Sequence, residues 1–537
     1  MALPTRDEFI ELAGAREGTG VIAVPIAVRL LADQLTPVLG YRRLVAPDER
    51  EAPSFLLESV EGGERQGRHS ILGAQPAVEV VARGQEVTIT GAVAALRDGR
   101  GTRRETDPLL VMRSLSHGTR LVRPALPSRE ALPACFLGGW VGFAGYDTVR
   151  YAEPEKLARP PRDDRALPDL HFGFYSGVVV FDHVDKLVHV VELAFVAPGD
   201  DPGARYDEAV ARLASRVGSL QQHSRPLPSG LVERESPVDA LPSNTTREAH
   251  AAMVARAKEY IAAGDIFQVV LGQRFERRSS ADPFDVYRAL RAVNPSPYMV
   301  YLQARGCILV ASSPEILCRV GRSGSAGSGF AVTNRPLAGT RRRGRTVEED
   351  AALERELLAD PKERAEHTML VDLGRNDVGR VAVPGSVRMP RLMEVERYSH
   401  VMHISSTVTG ELRPGLDCWD ALRATLPVGT ISGAPKVRAM QIVDELEPVR
   451  RGPYGGGMGY VGLDGQMDIA LALRTMVVPS AAPWHDVARG TWTYHVQAAG
   501  GIVADSDAAA EYQETVNKAA ALARAIDLAE RAFSTRG

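Results

Sequence analysis

Two short acidic segments constrain this chain more than anything else in it: Glu363-Arg-Ala-Glu366 and Glu511-Tyr-Gln-Glu514. Residues three apart on a helix share one face, so each segment presents a pair of carboxylates from one side of a helix. Two such faces can converge on one hard divalent cation. Magnesium suits that arrangement, because it takes a few carboxylates, keeps some waters and leaves positions for an oxygen-rich ligand. Acidic pairs are more often plain solvated surface, so the rest of the chain has to decide between the two.

The background is that of a soluble globular protein: 537 residues, 44% hydrophobic and 24% charged. Its length allows two ordinary domains or one large one. The net charge of −3 argues against a nucleic-acid or anionic-membrane surface, each of which favours a basic excess. The run Arg341-Arg-Arg-Gly-Arg345 is followed at once by Glu348, Glu349 and Asp350, and reads as a solvated loop. Cys135, Cys307, Cys318 and Cys418 are scattered, without metal-type pairing, which suits free thiols in a reducing cytoplasm. The N-terminus carries acids where a signal peptide needs an apolar core. No apolar run approaches the ~18 residues of a spanning helix. A soluble cytoplasmic protein is expected, with no membrane or nucleic-acid partner.

A proline-interrupted polar stretch at 221–244 reads as a linker between an N-terminal part, 1–220, and a C-terminal part, 245–537. Before it, Arg205 to Leu220 has helical spacing, and Val178–His183 and Leu187–Leu193 read as strands joined by a tight turn. After it, Thr246 caps a helix running through Ile261. Strands follow at 266–271, 308–313 and 403–409, and Gly321 to Gly329 reads as a hairpin tip. Strands and helices mix without βαβ alternation, so an α+β fold with large sheets is expected.

Two phosphate-loop lookalikes fail on context. In Gly429-Thr-Ile-Ser-Gly-Ala-Pro-Lys436 the last glycine is followed by Ala-Pro-Lys, and the proline removes an N–H such a loop would use. Gly457-Met-Gly-Tyr-Val-Gly462 fits a dinucleotide fingerprint, but Leu463-Asp-Gly465 follows instead of a helix. The alternative use of these glycines is close backbone approach to a small anion. Arg474, in the apolar segment Ile469-Ala-Leu-Ala-Leu-Arg, needs a partner that a planar carboxylate can supply.

These blocks stand in order with Arg335-Pro-Leu-Ala-Gly-Thr340, Tyr398-Ser-His-Val-Met-His403, Tyr454-Gly-Gly-Gly-Met-Gly-Tyr460 and Gln497-Ala-Ala-Gly-Gly-Ile-Val503. The ordered set resembles the chorismate-utilising enzymes, and among them anthranilate synthase component I, the large subunit, over roughly residues 50 to 530. The resemblance implies a sandwich of sheets flanked by helices, with regulatory and catalytic parts interleaved. It makes 1–220 a tryptophan-binding regulatory domain and 245–537 a chorismate-binding catalytic domain. It assigns Glu366 and Glu514 as ligands of Mg2+, with Glu363 and Glu511 supporting the ion through its waters. Arg474 is matched to the enolpyruvyl carboxylate, and Gly339, Thr340, Tyr454, Ala499, Gly500 and Gly501 to further substrate contacts. His403 matches the family's proton-transfer histidine. Thr430 and Lys436 match positions near the ring. Lys518, one turn after Glu514, can pair with that carboxylate or with substrate, and both remain open.

Two positions and an N-terminal feature divide the family. Its water-adding members resemble one another in a lysine where this chain has Gln268, and a neutral amide cannot deprotonate water. Aminodeoxychorismate synthases carry a lysine where this chain has Ala338. Both absences point to ammonia as nucleophile, with anthranilate and pyruvate as products. Leu56-Leu-Glu-Ser59 and Asn294-Pro-Ser-Pro-Tyr-Met299 resemble a feedback pocket for tryptophan, with Ser59 as hydrogen-bonding group and Pro297, Tyr298 and Met299 as lining. One departure stands out: Gln497-Ala-Ala-Gly-Gly501 replaces the usual Gln-Ala-Gly-Ala-Gly, which puts the backbone contacts to substrate in doubt. No cysteine sits in a Gly-x-Cys-x-Gly elbow. Ammonia is therefore expected from a separate glutamine amidotransferase small subunit or from solution. The competing readings are aminodeoxychorismate synthase component I and a catalytically inactive tryptophan-sensing protein.

Overall fold

The computed structural model describes every residue except 1, 15–19, 32, 50, 62–64, 95, 129, 223–226, 233–240, 324–328, 399–400 and 534–537, and not the side chains of 61–66. Its described strands build two large sheets, one of 13 strands and one of 12, with helices on their outer faces. Phe55, Leu302 and Leu309 from the larger sheet meet Val141, Phe143 and Met458 from the smaller in one apolar core. The expected α+β sandwich is what forms.

Strands from both sides of 221–244 share each sheet. In the larger, Ser54–Glu58 pairs antiparallel with Tyr298–Ala304, which pairs in turn with Cys307–Ser313. In the smaller, Gly139–Ala144 lies between Leu170–Tyr175 and Gly457–Gly462. The strand Gly177–Asp182 is buried throughout, as its unbroken apolar run requires when both faces are covered. Residues 221–244 connect the halves, although 223–226 and 233–240 lie outside the described residues; what is described there holds no helix or ladder strand. The hairpin of Ile316–Arg322 with Phe330–Asn334 has its tip, 324–328, outside them as well.

Side-chain caps set the helices that matter for the site. Thr246 accepts from the Ala249 N–H and opens Arg247–Ala262. Asp360 accepts from the N–H groups of Lys362 and Glu363, and Pro361 occupies the first turn of Pro361–Gly379. That cap fixes where Glu363 and Glu366 emerge. One expectation needs correcting: Arg341 and Arg342 lie in the strand Leu337–Arg342, not in a solvated loop. Ladder pairing to Met402 and Val401 holds the backbone there, while acidic side chains of the following helices take the guanidinium groups. No helix among the described residues is long and apolar enough to cross a membrane.

Candidate active site

The helix Pro361–Gly379 packs on the strands Leu337–Arg342 and Val401–Glu411, and the helix Ala508–Phe533 packs on Thr491–Ile502. Between them runs the paired ladder of Gln268–Ser279 with Thr491–Ile502, where Val270 opposes Gly501. Glu366 and Gln268 meet across this junction, the Gln268 Nε2 donating to Glu366 Oε1 at 3.0 Å. A β-carbon on Gly501 would stand 2.5 Å from that Nε2 and 3.4 Å from Glu366 Oε1, so a larger residue there would displace the Gln268 amide from Glu366. Burial pushes the Glu366 carboxyl up; Gln268 opposes, and the charges of Glu363 and Glu514 push the same way as burial. Burial likewise raises Glu511, against the hydroxyl of Ser506, which donates to it at 2.7 Å, while Glu514 adds to the rise. The acidic faces of the two helices therefore act on one another.

Lys518 pairs with Glu514 in this structure. Its Nζ lies 2.6 Å from Glu514 Oε1 and donates to the Ala499 carbonyl at 2.8 Å. Glu363 is partly committed too, since Arg341 Nη1 donates to it at 3.3 Å. No three His, Cys, Asp or Glu side chains among the described residues come together closely enough to enclose an ion by themselves. Magnesium does not require that, because one or two carboxylates, several waters and substrate oxygens complete its octahedron. Glu366 and Glu514 fit such a site on chemistry, as like charges that a cation between them would relieve.

His403 sits 8% exposed on the strand Val401–Glu411. Its Nδ1 lies 3.0 Å from the Gly339 carbonyl and 3.0 Å from Thr340 Oγ1. A carbonyl only accepts, so Nδ1 carries the proton and Nε2 is left with a bare lone pair. That Nε2 is buried and has no partner among the described residues. Burial and the nearby charges of Arg474 and Lys518 push His403 down to about 4, against the Gly339 carbonyl, so the ring is neutral at physiological pH. The carbonyl is aimed by a register shift between Ala338 and Thr340, where Gly339 adopts φ +66°.

Arg474 follows the strand Met467–Leu471 with φ +46°, a conformation a long side chain seldom holds without cause. Burial lowers its pKa, and no hydrogen bond or ion pair reaches its guanidinium among the described residues. A carboxylate ligand would complete it bidentately. Tyr398 feels the charges of Arg335, Arg474 and Glu315, so all three lie within reach of its hydroxyl.

Glu315 escaped the sequence reading. It is 3% exposed, in the turn between Cys307–Ser313 and Ile316–Arg322. Burial pushes its carboxyl up to about 8, against a hydrogen bond from Thr430 Oγ1 at 2.9 Å and another from the Leu337 backbone. A lone acid between two apolar strands was the available signal, since such a group is buried only with a partner or a task. Thr430 is thus placed beside an acid. Tyr454 is buried, and its hydroxyl meets the backbone of Ala499. Lys436 is half-buried, and its Nζ lies 2.6 Å from Oδ1 of the buried Asp377.

The profile of the chorismate binding enzyme family matches residues 53–524. This chain belongs to the chorismate-binding enzymes. It is 53% identical over 552 residues to the chloroplastic anthranilate synthase alpha subunit 1 of Oryza sativa subsp. indica, covering 99% of this chain and 92% of that one. It is 44% identical to anthranilate synthase component 1 of Pseudomonas putida, covering 98% and 99%. Among solved structures, anthranilate synthase component I from Streptococcus pneumoniae superposes with a TM-score of 0.69 at 35% identity, over 92% of this chain and 99% of that one. The menaquinone-specific isochorismate synthase of Escherichia coli shares the fold, with a TM-score of 0.63 at 17% identity over 97% and 98%. Within the chorismate-binding enzymes the chain therefore sits with the anthranilate synthase large subunits.

Against that family pattern, the departure at Ala499-Gly500 has a local explanation. Ala499 pairs with Gly272, and a β-carbon on Gly272 would come within 3.1 Å of that of Ala499. The alanine thus fills space its cross-strand glycine leaves. Gly500 in turn clears Glu511, whose Oε2 would lie 3.0 Å from an added β-carbon. The positions matched to tryptophan are also brought together in this chorismate-binding chain. Met299 pairs with Glu58, and the Val60 N–H donates to the Ser296 carbonyl at 3.1 Å, so Ser59 lies beside Pro297 and Tyr298. Met299 is buried, whereas Ser59 and Pro297 are partly exposed. The Tyr298 hydroxyl is already engaged: it donates to Asp468 at 2.8 Å and accepts from Arg319 at 2.9 Å.

Proposed function

We propose that this chain is the large subunit of an anthranilate synthase, converting chorismate and ammonia to anthranilate and pyruvate through 2-amino-2-deoxyisochorismate. The observation that carries this reading is a buried cluster: Glu315 with Thr430 Oγ1 at 2.9 Å, His403 with its Nε2 unpartnered among the described residues, and Arg474, whose charge acts on His403. The reaction has two stages, the first needing Glu315 and the second His403. First, ammonia adds at ring carbon 2, the double bonds shift, and the 4-hydroxyl leaves as water after taking a proton from Glu315. Then the proton on carbon 2 passes to the bare Nε2 of His403 and the carbon 3–oxygen bond breaks. The departing enolpyruvyl group takes up a proton to become pyruvate, and the ring becomes aromatic. Arg474 holds the enolpyruvyl carboxylate through both stages, and Tyr454 with Gly500 and Gly501 bounds the ring.

Gln268 supports ammonia as the nucleophile. Its Nε2 donates to the Glu366 carboxyl, which orients the amide with its nitrogen towards that acid. Its Oε1 is therefore fixed in the opposite direction, buried and unpartnered among the described residues. An amide oxygen there accepts from ammonia but cannot ionise water. Magnesium held by Glu366 and Glu514 would anchor the ring carboxylate and draw electron density from the ring.

The ammonia source is a partner. Burial pushes Cys135, Cys307 and Cys318 up to about 12 and Cys418 higher still, so none is the thiolate a glutaminase needs. A glutamine amidotransferase small subunit would supply it, giving a heteromer. The free thiols accord with a reducing compartment such as the cytoplasm. Tryptophan acts as feedback inhibitor at Ser59, Pro297, Tyr298 and Met299. The test is anthranilate fluorescence from the purified chain with chorismate and ammonium, with and without magnesium. Magnesium-dependent fluorescence with one pyruvate released per anthranilate is expected; a non-fluorescent aminated product would replace this reading with aminodeoxychorismate chemistry.

A further inference from the structure

One buried ion pair ties together three segments that carry the site. The Arg451 side chain is among the largest fully buried ones, and Glu447, four residues earlier at the end of the helix Lys436–Leu446, is buried with it. Arg451 Nε donates to Glu447 Oε2 at 2.9 Å and Nη2 to Glu447 Oε1 at 2.5 Å. Nη1 donates to the Ile431 carbonyl at 2.6 Å and Nη2 to the Val270 carbonyl at 2.7 Å. Glu447 Oε1 also accepts the Gly272 N–H at 2.8 Å. The guanidinium carbon stands 4.6 Å from the Tyr146 ring.

Each anchor adjoins a site residue. Ile431 follows Thr430, Val270 lies two positions beyond Gln268 on the same strand, and Tyr454 is three residues after Arg451 itself. The short helix Gly429–Ser432 has no side-chain cap; the Gly433 N–H serves the Gly429 carbonyl, and the Ile431 carbonyl needs a partner from outside the helix. Arg451 is that partner. A buried ion pair is a poor device for stability alone, since apolar residues of like volume often do as well. Its particular gift is direction, because the planar fork fixes several acceptors at once.

We propose that Arg451, held by Glu447, is a positioning residue that sets the Gly429–Ser432 turn and hence the contact of Thr430 with Glu315. This rests on the reading of Glu315 as the acid of the first stage. The groups facing Glu315 are the Thr430 hydroxyl, the Leu337 N–H and Tyr398, with Arg335 and Arg474 beyond Tyr398. Thr430 favours the ionised form of Glu315, so its withdrawal raises the pH at which the acid is lost. Substrate carboxylates are held elsewhere, so binding is largely spared.

The experiment compares Arg451→Lys with Thr430→Val in the full chain, using chorismate, magnesium and ammonium from about pH 6 to 10 with rates referred to free ammonia. Arg451→Lys is expected to lower kcat about 10- to 100-fold while KM for chorismate moves less than about threefold. Its alkaline limb is expected to move to higher pH, as in Thr430→Val. If Thr430→Val moves that limb and a folded Arg451→Lys does not, the positioning role is overturned and the acid assignment stands. If Thr430→Val leaves the limb in place, the acid assignment falls and takes the proposal with it. Should Arg451→Lys fail to melt cooperatively, Glu447→Gln, which keeps its size and an acceptor for Gly272, is judged by the same criteria.

Discussion

Glu315 and His403 hold opposite proton states for the same reason: burial disfavours charge, so the acid keeps its proton and the base goes without. The consequence for pH differs in sign. Glu315 titrates at about 8 in the fold against an ordinary 4.5, so the folded state binds the extra proton. Its contribution to stability is complete below the ordinary value and is lost as pH rises towards about 8. Glu315→Gln should therefore melt above the parent at alkaline pH, with the gap closing towards pH 4.5 in thermal scans. The same variant should lose about 100-fold or more in kcat and its alkaline limb with it. Unchanged kcat would remove Glu315 from the chemistry. His403→Asn should divide the stages: chorismate is consumed while pyruvate release falls at least about 100-fold, measured by chromatography beside a coupled pyruvate assay. Loss of both signals in step would place His403 in the first stage instead.

At the scale of elements, two helices bring carboxylates together, and Glu366 is raised by burial first and then by the charges of Glu363 on its own helix and Glu514 on the other. A bound magnesium ion should relieve that repulsion. Saturating magnesium is expected to raise the melting temperature by about 2–5 °C, and the Glu366→Gln, Glu514→Gln double variant should lose that response. No magnesium response in the parent would set aside this metal assignment. These helices were legible in the sequence because their signal is local, acids three apart on one face, just as the capping Thr246 made Arg247–Ala262 legible, whereas the Asp360 cap went unread. The pairing of Gln268 with Glu366 was not local, since it depends on which strand faces which helix. Glu315 was less legible still, because a single buried acid leaves no period to read. Arg341 went wrong for a related reason. Its charge pattern is that of a loop, but ladder pairing with Met402 overrides charge pattern.

Across the whole molecule, the expected regulatory and catalytic halves are sewn into common sheets, and this decides how an effector can be felt. The positions matched to tryptophan lie where Ser54–Glu58 of one half pairs with Tyr298–Ala304 of the other. Tyr298 pairs with Ser313, and Ser296 Oγ donates to the Ser313 carbonyl at 3.0 Å, two residues before Glu315. A ligand that shifts 296–298 therefore pulls on the segment holding the acid. Such coupling must be reciprocal in binding: if tryptophan weakens chorismate by some factor, chorismate weakens tryptophan by the same factor. With a coupling of about 1–3 kcal/mol that factor is about 5- to 150-fold. Calorimetric titrations of each ligand with and without the other, in the absence of ammonia so that no turnover occurs, give both factors. Ser59→Ala should abolish tryptophan binding itself. Ser296→Ala should leave tryptophan bound but bring both factors towards one, since the hydroxyl that grips Ser313 is gone. Undiminished coupling in Ser296→Ala would mean that the effector acts through the sheet as a whole and not through this contact.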